Sequence, residues 1–258
     1  MKKVIVLGGY GNFGKKIVEH LLDMTTLIIV IAGRNKTKAQ ACVDELSIIS
    51  QAQLVPLAID IYASDFAIQL QELVPDLVIH TSGPYQQQDY LVARACINAG
   101  AHYIDLADDR RFVCDIVELE QLAKQQGVLV VSGASSVPGL SSAVIDQYRQ
   151  QFSSLTHVEM AIAPGNKATR GTATVKSILS YTGHPFSVFS RGKQQSVYGW
   201  MSAKKQDFGD IVGKRWLANV DVPDLELFPS RYQVKDTVSF QAGLELPILH
   251  LTMVAMAY

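Results

Sequence analysis

The chain has 258 residues, 48% of them hydrophobic, with 23 basic and 24 acidic side chains and a formal net charge of −1. That length and apolar content can bury a sizeable core in one large or two modest domains. The charges nearly cancel and no block of like charge occurs, which excludes a charge-built surface for nucleic acid or anionic membrane and leaves small-molecule chemistry as the expected class.

Val4 to Leu7 is an apolar run of strand length that enters Gly8-Gly9-Tyr10-Gly11-Asn12-Phe13-Gly14. An amphipathic helix follows, with Phe13, Ile17, Val18, Leu21 and Leu22 on one face. Gly9-x-Gly11-x-x-Gly14 has the dinucleotide spacing: one glycine for the tight turn, one for close approach to a pyrophosphate, one for packing helix on strand. Gly8, Gly9, Tyr10, Gly11, Asn12, Phe13 and Gly14 are therefore the expected cofactor-binding residues of this loop. Main-chain N–H groups and the positive end of the helix suffice to hold the pyrophosphate. An ordinary glycine turn is the alternative, and the strand before it and the helix after it weigh against that.

Met1-Lys2-Lys3 looks like the basic start of a signal peptide, but glycines break the apolar run after four residues, so a cytoplasmic location is expected. Cys42, Cys96 and Cys114 lack Cys-x-x-Cys spacing and read as buried reduced thiols on helices. The six histidines show no ligand spacing, so no metal is expected.

Leu27 to Ala32 is a continuous apolar run, as in a parallel strand covered on both faces. At its end an NAD enzyme carries an acid for the ribose 2′-hydroxyl, whereas this chain has Gly33-Arg34-Asn35-Lys36. Arg34, with Asn35 beside it, can pair its planar fork with a 2′-phosphate, which favours NADP(H) over NAD(H); a solvated arginine at a helix start is the alternative. Thr37 to Ile49 has helical spacing, and Gln53 to Ile59 is a third strand ending at Asp60, which lies near an adenine or merely shapes a turn.

Asp76 to His80 is a fourth strand leading into Thr81-Ser82-Gly83-Pro84-Tyr85. In the doubly wound order this strand lies beside the first, so Ser82, Gly83 and Pro84 are expected to face the nicotinamide half. Tyr85 supplies a hydroxyl at the mouth of the cleft or covers the sheet edge; both readings stand. Asp89 to Ala99 is a helix stopped by Gly100, and His102 to Leu106 is a fifth strand. Asp108 and Asp109 precede a helix expected to run to Gln126 with Phe112, Ile116, Val117, Leu119 and Leu122 inward; one aspartate caps it and the other points into the cleft. Val128 to Val131 is a sixth strand, and Pro138 can start the next helix. The fold class is thus α/β, a Rossmann-type doubly wound parallel sheet over residues 1–150.

From 151 to 258 the pattern is that of a smaller α+β domain for substrate and oligomer contacts, which leaves room for a homodimer. Thr156 to Ala163 reads as a strand, Thr172 to Tyr181 as a helix, and Ser187 to Arg191 with Gln195 to Tyr198 as a hairpin turning at Gly192-Lys193. Trp200 to Arg231 shows little periodicity, and Gln233 to Gln241 is again strand-like. Leu246 to Tyr258 is a helical apolar run, too short to span a bilayer and without a polar cap, as expected if a returning C-terminal helix were missing.

Gly9-Tyr10-Gly11-Asn12-Phe13-Gly14, Ser82-Gly83-Pro84-Tyr85 and the run Val92 to Leu106 together resemble the NADP-binding domain of the saccharopine dehydrogenase-like family, with weaker similarity through Asp224-Leu225 and Arg231-Tyr232 to Ala242 to Leu246. The resemblance implies a nicotinamide-dependent oxidoreductase acting on a carbon–nitrogen bond, with Tyr85 and Asp108 or Asp109 as acid and base candidates. Saccharopine-forming members carry Asp-Pro-Gly-x-Asp-His after the sixth strand, and here the aligned residues are Val137-Pro138-Gly139-Leu140-Ser141-Ser142. Both acids and the histidine are replaced, so saccharopine formation itself is not expected. A branch with Ser-Val-Pro in this loop, which includes membrane-associated oxidoreductases and enoyl reductases, is more similar. The expectation is an NADP(H)-dependent oxidoreductase of unidentified small-molecule substrate, carbon–nitrogen or enoyl; the alternative is an NADP(H)-binding sensor or assembly protein without turnover.

Overall fold

The computed structural model describes residues 1–86, 88–167, 175 and 178–258. Contacts divide them into two compact units, Met1–Ala107 with Asp115–Ala134, and Asp108–Cys114 with Ser135–Tyr258. Residues 135–150, expected in the nucleotide domain, thus pack with the second unit.

The first unit is a six-stranded parallel sheet in the order β3-β2-β1-β4-β5-β6. The strands are β1 (Lys2–Leu7), β2 (Leu27–Gly33), β3 (Gln53–Ala58), β4 (Leu77–His80), β5 (His102–Asp105) and β6 (Val130–Val131). Side chains alternate between faces along a strand, and in β1 both sets are buried: Ile5 and Leu7 join one core cluster, Val4 and Val6 the other. The cluster around Val4 and Val6 is closed by Val18 and Leu22 from α1 (Asn12–Leu21) and its end, and by Cys42, Val43 and Leu46 of α2 (Lys36–Leu46). The cluster around Ile5 and Leu7 is closed by α3 (Phe66–Leu73), α4 (Leu91–Asn98) and residues near 119–123. Helices on both faces are what allow these strands to be apolar throughout. At the sheet's lower end Asp76 accepts from Lys3 N–H at 2.7 Å and from Lys2 Nζ at 2.6 Å, which holds its carboxyl below the usual carboxylate range and ties the starts of β1 and β4.

Three expectations for this unit are corrected. Phe13 is 51% exposed and does not join the core face of α1. The helix expected up to Gln126 is broken into α5 (Arg110–Asp115), a 3-10 turn over Ile116–Leu119 and α6 (Glu120–Gln126). With this break Val117 turns out to 70% exposure, and residues 110–114 pack with the second unit. The sixth strand pairs only through Val130 and Val131.

The second unit has a four-stranded mixed sheet in the order β10-β11-β12-β7 and a separate hairpin. Its strands are β7 (His157–Ile162), β8 (Pro185–Ser190), β9 (Lys193–Tyr198), β10 (Lys204–Asp207), β11 (Lys214–Asn219) and β12 (Thr237–Ala242). Helix α7 (Ser141–Tyr148) precedes the sheet, α8 (Asp224–Arg231) precedes β12, and α9 (Pro247–Ala257) follows it. Trp200, Phe228, Tyr232, Val238 and Phe240 form its core. Trp200 to Arg231, expected to be irregular, holds β10, β11 and α8. The β8–β9 hairpin turns at Arg191-Gly192, both with positive φ (55° and 72°), one residue earlier than expected, so Lys193 already belongs to β9. Most of the helix expected over 172–181 lies outside the described residues. Cys42 and Cys96 are buried thiols as expected, whereas Cys114 is only half-buried.

Candidate dinucleotide site

The site is built where β1 ends. Gly8 takes φ +81°, a conformation that disfavours a side chain, and its N–H donates to Ala32 O at 2.8 Å on the neighbouring strand. Gly11 N–H then closes the turn on Gly8 O at 2.8 Å. The helix is drawn in so closely that a Cβ on Gly14 would stand 2.2 Å from Gly8 O. A Cβ on Gly8 itself would stand 2.7 Å from Thr81 Oγ1. Helix α1 therefore starts hard against the strand end. Its N-cap, Gly11, offers no side-chain acceptor, and its first turn holds no acid. A helix start of this kind presents N–H donors and positive potential, which suits the charge and size of a pyrophosphate.

Arg34 and Asn35 follow β2. Asn35 caps α2 through its Oδ1, which accepts from Lys38 N–H at 2.9 Å, and its own N–H donates to Tyr10 OH at 3.0 Å. Arg34 is exposed. Asp60, beyond β3, accepts from Tyr62 N–H at 3.1 Å, the turn-shaping role.

The loop after β4 is pinned to the end of β1. Thr81 donates to Leu7 O through both N–H (2.9 Å) and Oγ1 (2.8 Å). Gly83-Pro84 is a cis peptide, and Gln88 Nε2 donates to Ser82 O at 3.1 Å and Pro84 O at 2.6 Å. Tyr85 corrects one of its two expected readings. Its ring is only 6% exposed, edge-on to His80 at 5.3 Å, and its hydroxyl donates to His80 O at 2.6 Å. It closes over the end of the sheet and does not hold its hydroxyl out at the cleft mouth.

Beneath this loop lies a buried polar group that sequence reasoning missed. His80 and Asp105, the last residues of β4 and β5, are register partners. His80 Nδ1 lies 3.0 Å from Tyr103 OH. Asp105 Oδ1 accepts from Ala107 N–H, Gly133 N–H and Ser132 Oγ, each at 2.9 Å. Burial pulls His80 down to about 4 and pushes Tyr103 up. Asp105 is also raised, since burial outweighs the three donors that favour its ionised form. The one available signal was a polar residue ending each of two otherwise apolar runs, Leu77-Val78-Ile79-His80 and Tyr103-Ile104-Asp105.

Of the acid–base candidates, Tyr85 belongs to the first unit, and Asp108 and Asp109 to the second. Asp109 Oδ1 accepts from Phe112 N–H at 2.8 Å and so is the capping aspartate of α5. In the second unit the loop 137–142 pairs Ser141 Oγ with the buried carboxylate of Asp224, which burial raises. Val137, Val144, Tyr148, Phe152, Met160 and Phe240 line a groove of about 540 Å³ between α7 and β7.

Comparison with known proteins agrees with this geometry. Residues 4–131 match the saccharopine dehydrogenase NADP binding domain, and the chain belongs to that saccharopine dehydrogenase-like, NADP-binding family through this segment. Its cofactor is NADP(H). It is 27% identical over 143 residues to a lipid droplet localized protein of Caenorhabditis elegans, covering 52% of this chain and 34% of that protein. It is 26% identical over 139 residues to a trans-acting enoyl reductase of Mycobacterium leprae, covering 52% and 33% respectively. The chain thus spans about a third of the length of these relatives. The apo saccharopine dehydrogenase (L-Glu forming) of Saccharomyces cerevisiae superposes with a TM-score of 0.70 at 17% identity, covering 94% of this chain and 55% of that one, a likeness of fold. The chain is accordingly of an NADP-binding oxidoreductase family. Among the described residues no helix is long and apolar enough to cross a membrane.

Proposed function

We propose that the protein is an NADP(H)-dependent oxidoreductase that exchanges hydride with a small molecule. The observation that carries this reading is the glycine turn closed against an open helix start, with Arg34 rather than an acid at the end of β2. Main-chain N–H groups at the start of α1 bind the pyrophosphate, Arg34 pairs with the 2′-phosphate, and Ser82, Gly83 and Pro84 wall the nicotinamide half. When bound, the nicotinamide supplies the hydride or accepts it. The chain's share is to bind and orient it, and His80, Tyr103 and Asp105 hold the end of the sheet under that wall.

A carbon–nitrogen double bond is the substrate that the family resemblance favours. An enoyl substrate is favoured by the groove of the second unit, where Val137, Leu140, Val144 and Ile145 give an apolar lining suited to an acyl chain, and by Val137, Ser141 and Ser142 standing in place of the acids and histidine of saccharopine-forming members. The Mycobacterium relative's name points the same way. Binding without turnover is the second reading, supported by Tyr85 and Asp109, whose polar atoms are engaged in fixing structure. A cytoplasmic location and a homodimer belong to the same proposal; the lipid-droplet relative sets the competing location, which imaging of a fluorescent fusion decides.

The deciding experiment follows NADPH absorbance with imine and enone panels, alongside calorimetric titration of NADPH. Saturable binding with turnover supports the enzyme, saturable binding without turnover the sensor, and absence of binding to folded protein overturns both.

A further inference from the structure

One side chain of the glycine loop builds the turn that carries Arg34. Tyr10 stands between Gly9 and Gly11, half-buried, with its ring laid against Gly33, the last residue of β2. A Cβ on Gly33 would lie 2.7 Å from Tyr10 Cε1 and 2.7 Å from its hydroxyl oxygen, closer than Cβ atoms come to any neighbour, so the phenol fills the space a side chain at 33 would need. The hydroxyl oxygen then accepts from Asn35 N–H at 3.0 Å. Asn35 is held from its other side by α2, through Lys38 N–H on its Oδ1 at 2.9 Å. Tyr10 thus covers the residue before Arg34 and bonds the residue after it. Arg34 itself is exposed and makes no hydrogen bond or ion pair with any described residue.

An arginine on a loose turn must order both its main chain and its long side chain to meet a phosphate, and each freedom lost on binding weakens the complex. A turn clamped on both sides leaves only the side chain to order. We infer that Tyr10 is a positioning residue for Arg34 and so sets the preference for NADPH over NADH. This rests on the reading that Arg34 meets the 2′-phosphate. It assigns to the variable residue of the fingerprint a part in choosing between cofactors, acting through the second strand and apart from the pyrophosphate.

The test is calorimetric titration of NADPH and NADH into the whole chain and into Tyr10→Phe, Arg34→Ala and the double variant. Tyr10→Phe keeps the ring on Gly33 and removes only the acceptor. The expected result is a fall of about two- to fivefold in the ratio of NADPH to NADH affinity, the upper end being set by one neutral hydrogen bond that orders the turn before the cofactor arrives, with no further fall when Tyr10→Phe is added to Arg34→Ala. Equal weakening of both cofactors by Tyr10→Phe, or an undiminished Tyr10→Phe effect in the Arg34→Ala background, overturns the positioning role and leaves the Arg34 reading standing. Equal weakening of both cofactors by Arg34→Ala is a separate result that overturns that reading and this inference with it. Amide exchange of Asn35, expected to quicken in Tyr10→Phe, is read on the protein without cofactor; unchanged exchange also overturns the role. Gly33→Ala, which displaces the ring while keeping the hydroxyl, serves should Tyr10→Phe not fold, and the same fall in the ratio is expected of it; an unaltered ratio overturns the role.

Discussion

A methyl group on Gly14 would lie 2.2 Å from Gly8 O, 2.7 Å from Gly8 C and 2.9 Å from Gly9 Cα, all of them main-chain atoms that cannot swing aside. Gly14→Ala must therefore push α1 off the strand end, with an overpacking cost of about 1–3 kcal/mol. Because the N–H donors move with the helix, NADPH and NADH should both weaken at least tenfold. Urea unfolding and calorimetric titration read the two effects; wild-type stability in the variant would mean that the turn is looser than its hydrogen bonds imply. Arg34→Ala acts differently, since it removes one cation and leaves the turn alone. The expected loss is about 10- to 100-fold for NADPH, the range of a charge-assisted hydrogen bond, with NADH nearly unaffected. Equal losses for the two cofactors would remove the 2′-phosphate from Arg34.

At the scale of elements, the ends of β4 and β5 set a pH dependence. Burial lowers His80 to about 4 from an ordinary 6.5, so between those values the unfolded chain takes up a proton that the folded protein refuses. The stability contributed by neutral His80 is thus whole above pH 6.5 and is lost as pH falls through about 4, amounting to about 3 kcal/mol over the window. Asp105 runs the other way: raised by burial, it favours the fold below the ordinary carboxylate range and loses that contribution as pH rises through its own higher value. His80→Gln keeps a polar side chain beside Tyr103 without the titration. Urea unfolding of the variant, followed by far-UV circular dichroism at pH 7, 5.5 and 4.5, should show a shallower fall than wild type. Parallel curves would mean that His80 takes its proton without opening the fold.

The same elements show what was legible in the sequence. β1, α1 and β2 announce themselves because apolar runs, glycine spacing and helical periodicity all point to one arrangement. His80 and Asp105 were missed because a strand pattern tells which residues alternate, while their meeting depends on the register of two strands separated by α4. β10 was missed because Lys204-Lys205-Gln206-Asp207 is an exposed edge strand with no apolar face to alternate. Its partner β11 and the whole of α8 were lost with it, although Leu217, Ala218, Leu225 and Phe228 are buried apolar residues. The glycine loop and Arg34 could be picked out by spacing, whereas Tyr85 could be placed only once its hydroxyl had found the His80 carbonyl.

Across the whole molecule, the buried residues fall into separate cores: two clusters on either face of the parallel sheet in the first unit, and one around Trp200 and Phe228 in the second. Every residue assigned to the cofactor, from Gly8 to Gly14, Arg34, Asn35 and Ser82 to Pro84, lies in the first unit. Whatever NADPH contributes by binding the folded state must enter through that unit's unfolding equilibrium. At a free concentration one hundred times Kd the added stability is about 2.7 kcal/mol, and the same concentration on an Arg34→Ala variant with a tenfold higher Kd adds about 1.4 kcal/mol. Denaturant unfolding followed by far-UV circular dichroism, with and without NADPH, should show this twofold difference in the added stability. Trp200 and Trp216, the chain's two tryptophans, both lie in the second unit, so their emission records that unit separately in the same sample. An NADPH increment that is the same in wild type and Arg34→Ala would show that the cofactor's stabilising energy does not pass through the turn after β2.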